Sequence, residues 1–389
     1  FGDAFVRLIR MLIIPLISTT LVAGVTAMGD PKKLGTLGVR TIAMYLVTTF
    51  FAVSLGLLLG TLLRPGAGVD YETAGAEAID SVRDKIETAD ASGGLVERLL
   101  NIIPTNPVEA LANGAVLPTI FFAILIGVGI LLAGAAADPV KHFFEAAAEV
   151  VMRVTMLVME MAPYGVLALM AWVMATQGIE ILWNMGKLAV ALYLACGMQI
   201  VFVYGFLIIG CLLKLPIKQY LRGIADAQGV AFSTASSNAT LPVSISCAEN
   251  NLGVDKSVAG SVLPLGATIN MDGTAIMQGA ATIFIAQAYG IDLTLGNLLT
   301  VIFTATIASV GTAGVPSAGL IMLSVVLTQL GLPVDAIAII WGIDRLLDMV
   351  RTSVNITGDA MVTTIVGKWE GQLDVGTFNK NIAADGTIE

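Results

Sequence analysis

Residues 342–359 read GIDRLLDMVRTSVNITGD and lie between two apolar runs, AIAIIW (336–341) and AMVTTIVG (360–367). Within this stretch Asp344, Asp348, Arg351, Asn355 and Asp359 follow one another at spacings of four, three, four and four residues. At about 100° per residue, all five fall in one narrow stripe of a helix. Arg345 sits beside the stripe. A helix with one charged seam and apolar residues elsewhere needs something polar to face, and the rest of the chain decides what that is.

Water is scarce. Hydrophobic residues make up 56% of the 389, and charged residues only 13%. Soluble domains carry about a quarter charged residues, and the mean hydropathy here is +0.87. Apolar stretches recur at bilayer-spanning length, about 20 residues: roughly 4–28, 37–63, 115–136, 147–175, 182–213 and 334–367 by hydropathy. The alternating pattern of a transmembrane barrel is missing. The expected class is an all-α integral membrane protein, multi-pass in the cell membrane, whose surroundings are the lipid bilayer. Lys32, Lys33 and Arg40, then Lys214, Lys218 and Arg222, then Lys368 and Lys380 flank connections that the positive-inside rule places in the cytoplasm, the C-terminus included. The stretch 69–98 is acidic and reads as an external loop. The net charge of -9 owes much to this loop and the tail, and implies no nucleic-acid partner. Cys196, Cys211 and Cys247 are scattered, without metal-ligand spacing. The chain opens at Phe1 almost directly in a spanning segment, so a preceding helix is expected.

Three stretches refuse the reading as one helix. GVAFSTASSNATLPVSIS (229–246) and ATIASVGTAGVPSAGLIML (305–323) each carry apolar arms around a core of small and polar residues ending in a proline. PLGATINMDGTAIMQG (264–279) puts Asn270, Asp272 and Gly273 in mid-segment. Freed backbone groups at membrane depth are tolerated only where they line a protein-buried site. Each hairpin-like stretch is followed by another span. Paired, Gly/Pro-interrupted segments of this kind point to the midplane site of a secondary transporter with inverted repeats. The expected architecture has two re-entrant helical hairpins and broken transmembrane helices.

The motifs SSNATLPVS, GATINMDGT, SVGTAGVPSAG and DMVRTSVNITGD resemble those of the glutamate transporter family. These are sodium-coupled dicarboxylate and amino-acid symporters that include archaeal aspartate transporters and mammalian excitatory amino acid transporters. The likeness extends to residues 102–124, 162–178 and the opening FGDAFVRLIRMLIIPLI. It covers nearly the whole chain, and the family's first helix would precede Phe1. The resemblance implies a homotrimer working by an elevator mechanism. Residues 1–35 and 95–180 would form the trimerisation scaffold. Residues 36–64, 181–219 and 220–370 would form the moving transport domain, with an external loop at 65–94 and a cytoplasmic tail at 371–389.

For the substrate, an always-charged, forked guanidinium in a dry site demands a carboxylate. By the resemblance, Arg351 takes the side-chain carboxylate of L-aspartate or L-glutamate, and Asp348 the ammonium group. Thr352, Asn355 and Thr274 add polar contacts. Ser236 and Ser237 on the first tip, with Val315 and Gly319 on the second, match contacts to the α-carboxylate, where backbone N–H groups and half-helix ends favour an anion. Asp348 and Arg351 also suit each other at i, i+3.

About three sodium ions are implied by the resemblance. Asp359, Asn355, Gly266 and Asn270 match one site. Thr268, Met271, Ser309, Val310 and Thr312 match a second, made largely of backbone carbonyls. Asp272 and Asn270 with Tyr45, Thr48 and Thr49 match a third. Independently of the family, Asp272, Asp348, Arg351 and Asp359 leave a net charge of minus two, and an acidic amino acid adds minus one. Burying that charge uncompensated is costly. Cations would offset it, but protons satisfy the same count. Where family members that carry a proton and counter-transport potassium have Glu, this chain has Gln278, which cannot titrate.

Archaeal relatives place an arginine before the serines of the first tip, where this chain has Ala235. Arg345 either reaches toward that tip in its stead, or pairs locally with Asp344 or snorkels. An intramembrane aspartyl protease would need two converging carboxylates free of a neighbouring cation. A channel would differ by lacking saturable uptake. A C4-dicarboxylate carrier of the same fold would not need Asp348. The reading is therefore a transporter and not an enzyme.

Overall fold

The computed structural model describes residues 2–26, 31–68, 100, 103–177, 181–310, 312, 314 and 316–380. The acidic loop at 69–98, the end of the tail at 381–389 and Val315 lie outside the described residues, as does the side chain of Val310. Among the described residues the fold is helical; the one β feature is an isolated bridge between Val254 and Leu373.

Helices α1 (Gly2–Thr26) and α2 (Pro31–Leu63) come first. The short α3 (Pro107–Ala112) is capped by Asn106, whose side chain accepts from the Val108 and Glu109 N–H groups. Then follow α4 (Val116–Ala133), α5 (Asp138–Glu160), α6 (Ala162–Gln177) and α7 (Ile181–Met198). Beyond α7 the chain continues without a break as a π-helix, Gln199–Leu212. Among the described residues, three segments are long and apolar enough to cross a membrane: Arg40–Leu63, Pro118–Val158 and Ile181–Leu212. They keep large apolar side chains exposed, among them Phe50, Phe51, Val201 and Phe202, as a lipid-facing surface requires.

The second half is made of shorter pieces: α8 (Ile217–Gly223), α9 (Ala225–Thr234), α10 (Ser237–Ser246), α11 (Lys256–Ile269), α12 (Asp272–Ala288), α13 (Leu295–Val310), α14 (Ala318–Gln329), α15 (Ile337–Trp341), α16 (Asp344–Trp369) and α17 (Val375–Asn379). The three breaks expected from sequence are present. Between α9 and α10 the chain turns at Ala235, which is left-handed at φ 53°. Ser236 then caps α10 by accepting the Ala239 N–H. Between α13 and α14, Pro316 precedes Ser317, also left-handed at φ 62°. Between α11 and α12, Asn270 and Met271 leave helical geometry at ψ 88° and 53°.

Two expected spans are corrected. The stretch 147–175 is not one helix but α5 and α6, meeting at Met161. Pro163 has no N–H to donate to the Met159 carbonyl, so the helical ladder breaks there and restarts with the proline in the first turn of α6. The stretch 334–367 is interrupted at Gly342–Ile343, and the charged helix begins at Asp344. An acidic first turn suits the positive end of the helix dipole.

Packing sorts the helices. α1 lies against α4, α5 and α6; α12 lies against α2, α16, α14 and α7. An apolar cluster of Ile17, Leu21, Val22, Ile120, Ala123, Ala308, Met322 and Val325 joins α1 and α4 to the second hairpin. The α2–α12 contact is close enough that a Cβ on Gly56 would sit 2.2 Å from the Ile276 carbonyl oxygen.

Candidate substrate and cation site

The charged seam of α16 faces protein, not water. Arg351 is completely buried. Its Nη2 lies 2.8 Å from Asp344 Oδ1 and 2.7 Å from Asp348 Oδ1. Asp348 Oδ2 accepts the Ser317 N–H of the second tip at 2.7 Å. Arg351 Nε and Nη1 are buried and unpartnered, as is Asp344 Oδ2. A buried guanidinium with idle N–H groups on two of its three nitrogens is a costly arrangement and suits an anion that accepts from them. Nη1 points toward Gly319, where a Cβ would lie 3.3 Å from it and 3.0 Å from Thr274 Cγ2. Arg351, Gly319 and Thr274 therefore enclose one spot.

The two tips meet beside this spot. Ser236 Oγ donates to the Gly314 carbonyl at 2.7 Å, and the Asn238 N–H donates to the same oxygen at 3.2 Å. Ser237, Thr352 and Asn355 are all buried. Arg345 reaches the first tip from outside: Nη2 donates to the Ser233 carbonyl at 3.0 Å and Nη1 to the Thr234 carbonyl at 3.4 Å. Asp344, its neighbour, is engaged by Arg351 instead.

Two further carboxylates lie deeper. Asn270 Nδ2 donates to Asp359 Oδ1 at 2.9 Å and lies 3.4 Å from the Asn355 carbonyl. A Cβ on Gly266 would fall 2.5 Å from Asp359 Oδ1 and 2.6 Å from the Tyr45 hydroxyl, so Gly266 brings bare backbone to that carboxylate. Asn355 Oδ1 accepts the Gly273 N–H at 2.7 Å, and its Nδ2 meets Met271 Sδ at 3.2 Å. Asp272 Oδ1 accepts from Thr49 at 2.6 Å, while Oδ2 accepts from Tyr204 at 2.5 Å and Gln199 at 3.3 Å. Asn270 Oδ1 is buried without a partner. An open carbonyl-type oxygen beside a buried carboxylate and a glycine backbone fits a hard monovalent cation.

The sequence-predicted residues mostly converge. Asp359, Asn355, Gly266 and Asn270 form one neighbourhood, and Tyr45 stands against it. Asp272 and Thr49 are bonded, and Thr48 offers its carbonyl to Gln199, but the Asn270 amide reaches Asp359 and not Asp272. Thr268 and Thr312 line a cavity of about 60 Å³ with Asn238, Gly314 and α1 residues Thr20 and Gly24. Ser309 spends its hydroxyl on its own helix, at the Thr306 carbonyl. Three participants went unassigned from sequence: Asp344 as a partner of Arg351, and Gln199 and Tyr204 on Asp272. With Asp344 included, four buried carboxylates stand against one buried guanidinium, a net charge of minus three.

Paired broken segments that bury side chains of both signs between them are what an ion-coupled membrane transporter needs. The model of the sodium:dicarboxylate symporter family matches residues 1–369. A proton/sodium-glutamate symport protein of Geobacillus stearothermophilus is 37% identical over 374 residues, spanning 95% of this chain and 87% of the relative. A proton/glutamate-aspartate symporter of Escherichia coli is 36% identical over 375 residues, 96% and 85% of the two chains. A C4-dicarboxylate transport protein of Pseudomonas paraeruginosa is 34% identical over 390 residues, 99% and 88% of the two chains. This chain belongs to the sodium:dicarboxylate symporter family; it is a membrane symporter and not an enzyme.

Proposed function

We propose that this protein takes up acidic amino acids, L-aspartate or L-glutamate, driven by the sodium gradient across the cell membrane. The observation that carries the reading is the Arg351 cluster. The idle Nη1 of Arg351, beside Gly319 and Thr274, suits the side-chain carboxylate of the substrate. Asp348, within reach of the second tip, supplies the negative partner that an ammonium group needs and a plain dicarboxylate does not. Arg351 and Asp348 hold each other, and an acidic amino acid would give each its own partner, a carboxylate for Arg351 and an ammonium for Asp348.

Coupling to cations follows from the surplus of buried negative charge. Asp272 and Asp359 sit among hydroxyl, amide and backbone oxygens, which supports sodium ions, about three by family likeness, as the co-transported species. Gln278, without a titratable group at the corresponding place, supports transport without potassium exchange. The hairpins α9–α10 and α13–α14 would be the two gates, re-entrant in the membrane. α1 packs chiefly on α4, α5 and α6, and α12 on α2, α16, α14 and α7; this grouping, with an apolar seam at the second hairpin between them, supports a scaffold and a moving domain of elevator type, trimeric by family likeness, with the C-terminus in the cytoplasm by the positive-inside rule.

The test is labelled L-aspartate uptake into proteoliposomes under an inward sodium gradient, with an inward proton gradient as a parallel arm. Sodium-driven uptake that glutamate inhibits and succinate does not is the expected result. Uptake in the proton arm alone overturns the sodium reading, and equal inhibition by succinate overturns the amino-acid reading.

A further inference from the structure

Gln199 and Tyr204 stand five residues apart. On an α-helix that step turns the chain by about 140° beyond a full turn, and the two side chains would face different neighbours. From Gln199 to Leu212, however, the chain is wound as a π-helix. With hydrogen bonds from i to i+5 and about 4.4 residues per turn, a five-residue step returns to within roughly 50° of its start. Both side chains therefore reach the same carboxylate oxygen, Asp272 Oδ2. Gln199 Nε2 also donates to the Thr48 carbonyl at 3.2 Å. Gln199 and Asp272 are completely buried, and so is Tyr204. Gln199 Oε1 is left with no partner.

The arrangement is asymmetric. Oδ2 receives two donors from the π-helix, which fills its lone pairs. Oδ1 receives the Thr49 hydroxyl, while the neighbouring Thr48 hydroxyl donates to the Tyr45 carbonyl, so Oδ1 keeps capacity for a further partner. We propose that Tyr204 and Gln199 are positioning residues of the ion-coupling machinery: they pin Asp272 by one oxygen so that the other is presented to the co-transported cation. The buried Oε1 of Gln199, left without a partner, is a neutral oxygen of the kind a hard cation accepts. The π-helix is then the device that brings both residues to bear, in keeping with the frequent occurrence of π segments at functional sites. This inference rests on the sodium reading above.

The experiment uses the purified full chain in detergent and reads sodium binding by the sodium dependence of thermal stabilisation, without transport. Aspartate affinity at saturating sodium is measured by calorimetry on the same samples. Tyr204→Phe removes one oxygen and keeps the ring. Gln199→Met removes the donor and keeps the length. Tyr193→Phe, whose hydroxyl bonds the Leu346 carbonyl, is the control on the same continuous helix. Each of the first two variants raises the sodium concentration for half-maximal stabilisation by about tenfold, the size of one lost charge-assisted hydrogen bond, with aspartate affinity at saturating sodium held. The control does not move. A loss of stability at all sodium concentrations, with an unchanged half-saturation point, marks a purely structural role and overturns the proposal. Tyr204→Phe and Gln199→Met each report separately, so failure of one to fold leaves the other to decide. A wild-type protein indifferent to sodium overturns the coupling reading and this inference with it. A wild type that responds, with variants that track it, overturns this inference alone.

Discussion

Ser236 Oγ donates to the Gly314 carbonyl at 2.7 Å, so one hydroxyl fastens the tip of the first hairpin to the tip of the second. The same oxygen accepts the Ala239 N–H and caps α10. Ser236→Ala removes both. The expected cost is about 1 kcal/mol in stability, the usual worth of a cap, together with faster release of bound aspartate, because a tie between the two tips is gone. Ser236→Thr keeps the hydroxyl and restores both. Thermal unfolding and aspartate dissociation rates check this; unchanged release from Ser236→Ala would show that the tie between the tips does not slow release.

Glycines separate contact from mere flexibility. A Cβ on Gly273 would lie 2.1 Å from the Arg351 carbonyl oxygen, which is backbone and cannot swing aside. On Gly260, in α11, it would meet nothing within 4 Å. Gly273→Ala is expected to force α12 and α16 apart, at the 1–3 kcal/mol or more typical of overpacking, and to abolish substrate binding. Gly260→Ala is expected to be neutral or to stabilise by up to about 1 kcal/mol through helix propensity. Thermal stability and aspartate binding of the pair give the comparison, and equal behaviour would contradict the close α12–α16 crossing.

The charged seam of α16 was legible because a helical period of charge in an apolar run has one reading. The hairpin turns were legible because Gly, Pro and Ser break helices for reasons that hold in any surroundings. The junction at Met161 escaped because proline inside membrane helices is often accommodated, and hydropathy does not register it. Tyr204 and Gln199 escaped for a sharper reason. An α-helical period separates them, and only the π winding, a property of the hydrogen-bond register, brings them onto Asp272. Asp344 lay in the stripe, but only packing reveals that Arg351 spans two turns to reach it.

Arg345 donates to the last carbonyls of α9, those of Ser233 and Thr234. A cation at a helix C-terminus stabilises it by about 0.3–1 kcal/mol when exposed, and Arg345 is on the surface. Arg345→Ala is therefore expected to raise the KM for aspartate less than about fivefold, by loosening the first tip. Arg345→Lys keeps the charge but not the fork and should fall between. Moving the arginine, as Arg345→Ala with Ala235→Arg, is expected to recover part of the loss. Uptake as poor in the double variant as in Arg345→Ala would show that position, and not charge at the tip, is what matters.

Asp344 shares the Arg351 guanidinium with Asp348. It takes Arg351 Nη2 at 2.8 Å while its own Oδ2 goes unpartnered, so it balances charge without being satisfied. Asp344→Asn keeps the shape and removes the charge. Arg351 then rests on Asp348 alone, and that pair tightens as the rival anion leaves. An incoming amino acid must open this contact to place its ammonium on Asp348. A dicarboxylate needs only the guanidinium, whose idle positions stay available. Asp344→Asn is thus expected to weaken aspartate relative to succinate by about tenfold, the scale of one charged hydrogen bond. With one buried carboxylate fewer, less cation charge is required, so the dependence of uptake on sodium concentration should also become shallower. Competition assays against labelled aspartate, run at several sodium concentrations, measure both effects together. An unchanged aspartate-to-succinate ratio would place Asp344 outside the recognition of substrate and leave it only the role of balancing Arg351.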